Sequence, residues 1–278
     1  MRVLVTRPAA DALGWVTGLQ GAGFEALSLP LIEIGPVADL GPVSSAWHQL
    51  ESYNALMFVS GNAVAGFFTA RPQGVQNSFQ NRGQLPQAPR AWATGPGTHK
   101  ALIEAGVSNH LIDVPNADSA QFDSEALWAR VSTTVRQGMK VLLVRGATDR
   151  ETCNSQPLGA LDSDLRQGAG RDWLATRLGE QGVVVEWVAV YQRHLPQFNS
   201  PQEASIRAST HDASIWLFSS SEAVENLTNQ FADLHWSKAR AVATHSRIAQ
   251  TARKAGFGVV CESRPTLEAV VASIESMR

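Results

Sequence analysis

Small polar residues recur in this sequence at places where an apolar run ends and a helix-like stretch begins. Such turns offer hydroxyl groups and free backbone N–H groups, and a helix amino terminus adds the positive end of its dipole, so they suit carboxylates or phosphates. The same residue types are also the preferred helix N-caps, so capping alone remains an alternative. Four turns have this composition: Ser60-Gly61-Asn62, Thr94-Gly95-Pro96-Gly97-Thr98, Ser219-Ser220-Ser221 and Thr244-His245-Ser246.

Three further residues could act on a ligand. Arg7 and Arg145 end two similar apolar runs, where a guanidinium could pair either with a ligand carboxylate or with a structural acidic group. Tyr191 ends the apolar run EWVAVY and is one of only two tyrosines. Its phenol could donate a proton or a hydrogen bond. An amphipathic aromatic at a strand end, with its hydroxyl in water, would explain Tyr191 equally well.

Motifs for nucleotide, metal or serine-nucleophile chemistry are missing from the sequence. ATGPG lacks the lysine and the spacing of a P-loop, no GxGxxG follows a strand, and no GxSxG occurs. The seven histidines show no metal-ligand spacing, and the two cysteines, Cys153 and Cys261, form no CxxC. We therefore expect no nucleotide cofactor, no metal site and no disulfide framework.

Composition narrows the class of ligand. The 278 residues carry 23 basic and 25 acidic side chains, which is not the footprint of a protein that binds nucleic acid or an anionic membrane. No stretch approaches the roughly 18 apolar residues that a membrane span needs, and the first residues do not resemble a signal peptide. We expect a cytoplasmic protein with a small-molecule ligand.

Short apolar runs alternate along the chain with helix-like stretches, which favours an α/β fold with parallel sheets covered by helices. Each run is rich in residues that suit a strand buried on both faces. Six such runs are predicted as strands: Val3–Thr6, Ala55–Val59, Ala91–Thr94, Val141–Arg145, Ile215–Phe218 and Ala239–Thr244.

The two halves of the chain resemble each other in order. MRVLVTRP from Met1 matches MKVLLVRG from Met139, YNALMFVSGNAVAGFF from Tyr53 matches ASIWLFSSSEAVENLT from Ala213, and RAWATGPGTHKALIEAG from Arg90 matches RAVATHSRIAQTARKAG. An internal duplication of about 140 residues predicts two similar domains, each with a mostly parallel sheet flanked by helices.

The boundary between these domains is predicted from two equivalent extended segments near 31–36 and 188–196. Lying side by side, they would form a two-stranded linker. One domain then combines residues 1–35 with 193–278, and the other comprises residues 36–192. Two polar segments, 71–90 and 151–170, have turn-forming composition and are predicted to be mobile surface loops.

Several segments, in this order, resemble the uroporphyrinogen-III synthase family over nearly the whole chain. No single segment is diagnostic, and the order carries more weight than any one of them. The matching segments are VLVTRP, FVSGNAVAGFF, ATGPGTHKALIEAG, VLLVRG followed by WLATRLGEQG and VYQR, WLFSSSEAV, and the closing RPTLEAVVASI.

The resemblance implies that hydroxymethylbilane, a linear tetrapyrrole, binds between two α/β domains and is closed with inversion of its terminal ring, without metal, flavin or nucleotide. Tyr191 is implied as the proton donor to the departing hydroxyl. Five residues match binding positions of the family: Ser60, Thr98, Ser219, Ser220 and Arg240. Together with the turns and arginines named above, the predicted substrate-binding residues are Arg7, Ser60, Gly61, Asn62, Thr94, Gly95, Thr98, Arg145, Ser219, Ser220, Arg240, Thr244, His245 and Ser246. The fourth turn departs from the family pattern, because THSRIA replaces a glycine-proline-threonine-threonine type of sequence.

Two other classes of protein could have the same fold. Duplicated α/β lobes could close on a small anion without chemistry, or a regulatory protein could have kept the fold and lost the activity. The simplest expectation for the enzyme is a monomer that makes at most transient contact with the preceding enzyme of its pathway.

Overall fold

The computed structural model describes residues 1–77, 79, 88–116, 119, 121–148 and 171–277. By internal contacts the chain divides into two compact units, one formed by Met1–Ile34 and His194–Arg278 and the other by Gly35–Arg193. The predicted loop 151–170 lies outside the described residues. Of the other predicted loop, residues 71–77 form no helix or strand, whereas Arg90 opens a strand.

Strands and helices alternate along the described chain as predicted. The strands are β1 (Arg2–Val5), β2 (Glu25–Ser28), β3 (Glu33–Gly35), β4 (Ala55–Phe58), β5 (Arg90–Ala93), β6 (Ile112–Asp113), β7 (Lys140–Thr148), β8 (Val184–His194), β9 (Ile215–Phe218), β10 (Arg240–Ala243) and β11 (Val259–Glu262). The helices are α1 (Ala9–Gly21), α2 (Gly41–His48), α3 (Gly61–Thr69), α4 (Pro96–Glu104), α5 (Ser124–Val131), α6 (Arg171–Glu180), α7 (Ser200–Ala208), α8 (Ser221–Gln230), α9 (Ser246–Lys254) and α10 (Leu267–Glu275).

Strand order supports the duplication directly. One sheet has the order β11-β10-β9-β1-β2, and the other has the order β3-β8-β7-β4-β5-β6. When β1 is matched with β7, β2 with β8, β9 with β4, β10 with β5 and β11 with β6, the two orders are identical apart from β3. The three sequence pairs therefore occupy equivalent strands, and the predicted fold class is confirmed.

Both faces of each sheet are buried, which explains the continuous apolar runs. In β1, Leu4 belongs to one core cluster, whereas Val3 and Val5 belong to the cluster on the opposite face. The strand pairs within β11-β10-β9-β1-β2 and within β8-β7-β4-β5-β6 are parallel. Helices must therefore cross over to connect successive strands.

Two equivalent glycines end the helix that leads into the second strand of each repeat. Gly23 follows α1 with a φ of 85°, and Gly182 follows α6 with a φ of 72°. Side chains other than glycine rarely adopt this left-handed conformation, which terminates a helix and turns the chain toward the next strand. The repeated glycine in LQGAGF and LGEQGV thus has a physical cause.

A polar cluster joins the beginnings of β4, β7 and β8. The Tyr53 hydroxyl donates a hydrogen bond to Glu186 Oε2 over 2.7 Å, and Lys140 Nζ lies 3.0 Å from Glu186 Oε1. Lys140 Nζ also lies 4.6 Å from the centre of the Tyr53 ring. Burial of the phenol, with the hydrogen bond and charge of Glu186, raises the pKa of Tyr53 well above its usual value.

We predict that replacing Tyr53 by phenylalanine removes part of the alkaline loss of stability. The unfolded chain loses the Tyr53 proton at pH ~10, whereas the folded protein retains it. The contribution of the protonated phenol to the free energy of unfolding is therefore complete below pH ~10 and declines above it. The free energy of unfolding, measured by chemical denaturation between pH 8 and 11, should fall more steeply with pH for the parent than for Tyr53→Phe. Parallel pH profiles would contradict this assignment.

Candidate functional site

The predicted turns of each unit lie at one edge of its sheet, because the carboxyl ends of parallel strands meet there. In the unit Gly35–Arg193, Ser60 follows β4 and Thr94 follows β5, while Tyr191 lies in the carboxyl half of β8. In the other unit, Ser219 follows β9 and Thr244 follows β10. Within each unit, the sheet brings the turns to a common edge.

Each sheet contains one point at which the chain reverses its direction of winding, and open α/β sheets characteristically bind ligands outside the carboxyl ends of strands at such a point. In the order β8-β7-β4-β5-β6 this point lies between β7 and β4. In the order β11-β10-β9-β1-β2 it lies between β9 and β1. The first point adjoins Ser60 and Arg145, and the second adjoins Arg7 and Ser219.

Ser60 is the N-cap of α3. Its backbone is extended, and its Oγ accepts a hydrogen bond from the backbone N–H of Ala63 over 3.1 Å. Gly61 and Asn62 form the first turn of α3. The capping interpretation of this turn is therefore correct, and it leaves the hydroxyl hydrogen of Ser60 available for a second bond.

Tyr191 is close enough to be the partner in that second bond. Its hydroxyl lies 3.2 Å from Ser60 Oγ, and either oxygen can be the donor. Its ring belongs to the core cluster that contains Phe58 and Val144, and the residue is 7% exposed. Tyr191 lies three residues before the end of β8, and its hydroxyl is within hydrogen-bond distance of the N-cap of the neighbouring helix.

Arg145 lies inside a strand, whereas it was predicted at the end of one. β7 continues beyond it to Thr148, because β8 is long enough to pair with all of β7. The guanidinium stacks on Trp187 of β8, with its carbon 4.6 Å from the ring centre. This cation–π contact fixes the direction of the charge.

Arg7 lies two residues beyond β1 and stacks instead on Trp15 of α1, again at 4.6 Å. Its Nε is buried and has no hydrogen-bond partner in the described part of the chain. Burial lowers the pKa of Arg7 below its usual value, and the charge of Asp11 opposes that shift only in part. A desolvated cation with an unused donor is suited to a carboxylate.

The other turns have mixed roles. Gly95 is the N-cap of α4, and Thr94 Oγ1 lies 3.5 Å from the Val59 carbonyl oxygen. Ser220 is the N-cap of α8, but its side chain makes no capping hydrogen bond. His245 caps α9 by accepting a hydrogen bond from the N–H of Arg247 at Nδ1.

Arg240 is placed differently from the other predicted residues. It is the first residue of β10, so it lies at the amino edge of the sheet, opposite Thr244, His245 and Ser246. It was predicted only from its similarity to a basic position of the family, although the predicted strand Ala239–Thr244 already puts it near the beginning of that strand. Thr98 and Thr244 lie at the expected edge but are each only 6% exposed.

Two residues around Tyr191 were missed by sequence reasoning. Tyr191 pairs with Gly146 across a register shift in β7 and β8, and Gly66 of α3 approaches the Val190 carbonyl. A glycine inside a strand often marks a bulge or a close approach. The glycine in VLLVRG was thus an available signal, although it does not indicate which side chain approaches.

Among the described residues there is neither a metal-binding cluster nor a helix that could span a membrane. No group of three or more His, Cys, Asp or Glu side chains there could hold a metal ion. None of the helices in that part of the chain is both long and apolar enough to cross a membrane.

We predict that Arg7→Met does not lower the thermal midpoint. A buried guanidinium with an unused donor carries a desolvation penalty, and an apolar side chain of similar length can also pack on Trp15. Removing an unfavourable group at a binding site commonly stabilises the fold while it weakens function. Thermal unfolding followed by circular dichroism measures the effect, and a midpoint several degrees lower would show that Arg7 has a mainly structural role.

Solved structures with the same fold are found by comparison of coordinates. A mutant uroporphyrinogen III synthase from the extremely thermophilic bacterium Thermus thermophilus gives a TM-score of 0.55 at 16% identity, over 100% of this chain and 98% of that one. Uroporphyrinogen-III synthetase from Helicobacter pylori also gives a TM-score of 0.55, at 18% identity over 100% of both chains. At these identities the likeness establishes the fold.

Sequence comparison identifies the family. The chain is 31% identical over 147 residues to uroporphyrinogen-III synthase of Chlorobaculum parvum, covering 52% of this chain and about half, 53%, of that protein. It is 26% identical over 198 residues to uroporphyrinogen-III synthase of Proteus mirabilis, and this match covers 69% of this chain and 80% of that protein. The family profile described as uroporphyrinogen-III synthase HemD matches residues 14–156 and 165–272. The chain belongs to the uroporphyrinogen-III synthase family, as its sequence segments predicted.

Proposed function

We propose that this protein closes hydroxymethylbilane to uroporphyrinogen III, with inversion of the terminal ring and loss of water. Family membership and the names of the relatives support the reaction. The observation that carries the proposal is the hydrogen bond between Tyr191 and Ser60, because it places an oriented hydroxyl at the edge of the sheet where α/β proteins bind ligands.

The proposed reaction begins with loss of the terminal hydroxyl of the substrate, which leaves an azafulvene-type electrophile. The substituted carbon of the terminal pyrrole ring attacks it to give a spiro intermediate, and fragmentation with re-closure inverts that ring. Unaided closure gives the isomer without inversion, so the protein must chiefly fold the linear chain into one productive conformation.

Tyr191 is the proposed donor to the departing hydroxyl. The Ala63 N–H donates to Ser60 Oγ, and the Ser60 hydroxyl can in turn donate to the Tyr191 oxygen. That direction leaves the phenolic hydrogen of Tyr191 free for the substrate. Hydrogen bonds in a chain polarise one another, so this arrangement strengthens the phenol as a donor.

Carboxylates of the substrate would be held by a few local groups. Arg7 and Arg145 supply the charge, each oriented by a tryptophan. The helix amino termini at the turns after β4, β5 and β9 add backbone N–H donors, and Ser219 adds a hydroxyl donor. A protein with nearly balanced total charge can therefore bind a polyanion without a basic surface.

The cellular setting belongs to the same proposal. We place the protein in the cytoplasm as a monomer that receives hydroxymethylbilane after at most transient contact with the enzyme that makes it. Family membership supports the substrate in this view, and a monomer is the simplest state in which to test it. Light scattering after size-exclusion chromatography measures the oligomeric state.

The decisive test is isomer analysis of the product. Purified protein is added to freshly generated hydroxymethylbilane, and the oxidised products are separated by chromatography. We expect mainly the type III isomer, formed faster than the spontaneous product. Mainly type I isomer at the spontaneous rate would leave a binding or regulatory protein with this fold and would reject the enzymatic assignment.

A Tyr191→Phe variant is the informative arm of that experiment, because it removes one oxygen and keeps the buried ring. Type III formation should slow several-fold or more, while the thermal midpoint stays close to that of the parent. An unchanged rate would remove Tyr191 from the mechanism without affecting the assignment of the reaction.

A further inference from the structure

We infer that Gly146, together with a β-bulge at Val190, is the device that positions the Tyr191 hydroxyl. The catalytic role of Gly146 rests on the proposed function, whereas its contact with the Tyr191 ring rests on packing alone. It makes Gly146 a positioning residue, which acts on the substrate only through Tyr191.

The bulge is visible in the pairing of β7 with β8. Arg145 pairs with Ala189, but the next residue, Gly146, pairs with Tyr191, so Val190 is the extra residue. A bulge of this kind bends the strand and changes which way the following side chains point. It therefore acts directly on the orientation of Tyr191.

The core clusters show what the bulge achieves. Before it, side chains of β8 alternate regularly: Val188 belongs to the core on one face, and Ala189 to a cluster on the other. Val190 and Tyr191 both belong to the same core as Val188. Strict alternation would have put Tyr191 on the face of Ala189. The extra residue moves the phenol to the face where Ser60 caps α3.

Gly146 provides the room that the ring then needs. A methyl group at this position would lie 2.8 Å from Cδ2 of Tyr191 and closer still to Cε2 and Cζ. The ring therefore lies directly against the backbone of β7. Any side chain at position 146 would push the ring outward and move its hydroxyl away from Ser60 Oγ.

Gly66 holds the other partner in place. A methyl group on this glycine of α3 would lie 2.7 Å from the Val190 carbonyl oxygen. α3 therefore packs against the bulge itself, and its N-cap Ser60 is fixed relative to the same residue that redirects Tyr191. Since a misplacement of about 1 Å can reduce catalysis about 100-fold, such close packing has a direct catalytic consequence.

The test compares Gly146→Ala with Gly179→Ala. Gly179 lies in α6 of the same unit, and a methyl group there would meet nothing within 4 Å. We expect Gly146→Ala to slow type III formation by about 10-fold or more, mainly through kcat, with a larger share of type I isomer. Gly179→Ala should match the parent. Parent-like kcat and isomer ratio in a folded Gly146→Ala variant would overturn the inference.

Repeating the comparison in a Tyr191→Phe background distinguishes a positioning role of Gly146 from a general loss of structure. In Tyr191→Phe the hydroxyl is already absent, so Gly146→Ala should cause little further loss of kcat. An equal fold-loss in both backgrounds would mean that Gly146 does not act through the hydroxyl, and would overturn the inference.

Thermal unfolding tests the packing without any substrate. Gly146→Ala should lower the midpoint by several degrees in the parent but leave it unchanged in a Tyr191→Ala background, where the ring is gone. An equal decrease in both backgrounds would refute the contact. Thermal unfolding needs no substrate, so it tests the contact even if Gly146→Ala is unstable or the parent yields only type I isomer. Failure of the inference is therefore distinguishable from failure of the proposed function.

Discussion

The parallel pairing of β7 with β8, with its slip of one residue after Arg145, is the constraint on which the candidate site depends. Up to that point β8 behaves as an ordinary buried strand. The slip turns Tyr191 toward α3, and its hydroxyl meets Ser60 at 3.2 Å. Ser60 is itself held by its capping bond to the Ala63 N–H, so backbone pairing determines the position of the phenol and helix capping that of its partner.

Duplication gives each unit the same kind of sheet edge but not the same chemistry. Both units have a reversal point in strand order flanked by polar turns and an arginine stacked on tryptophan. Only the unit Gly35–Arg193 pairs a phenol with an N-cap hydroxyl among the described residues. The other unit offers Arg7, whose buried Nε lacks a hydrogen-bond partner in the described part of the chain. The two units therefore share an arginine stacked on tryptophan, and the pairing of Tyr191 with Ser60 distinguishes the unit Gly35–Arg193.

Much of this arrangement follows from the sequence, because buried parallel strands read as continuous apolar runs and the repeat aligns them in pairs. The turns after β4, β5, β9 and β10 were placed at the correct sheet edge for that reason. Arg240 was included only through the family resemblance, although the predicted strand Ala239–Thr244 already puts it at the opposite end of that strand from these turns. The bulge at Val190 was also missed, since EWVAVY remains apolar through it and only the ladder with β7 defines it.

The shared hydrogen bond between Ser60 and Tyr191 is most directly tested by a double-mutant cycle of Ser60→Ala, Tyr191→Phe and the combined variant, read as the rate of type III formation. Because Ser60→Ala also removes a helix cap worth about 1 kcal/mol, the rates should be measured well below the thermal midpoint of every variant. The account predicts strong coupling, with the double variant hardly slower than Tyr191→Phe alone. Losses that simply multiply would show that the two hydroxyls act independently and would contradict the account.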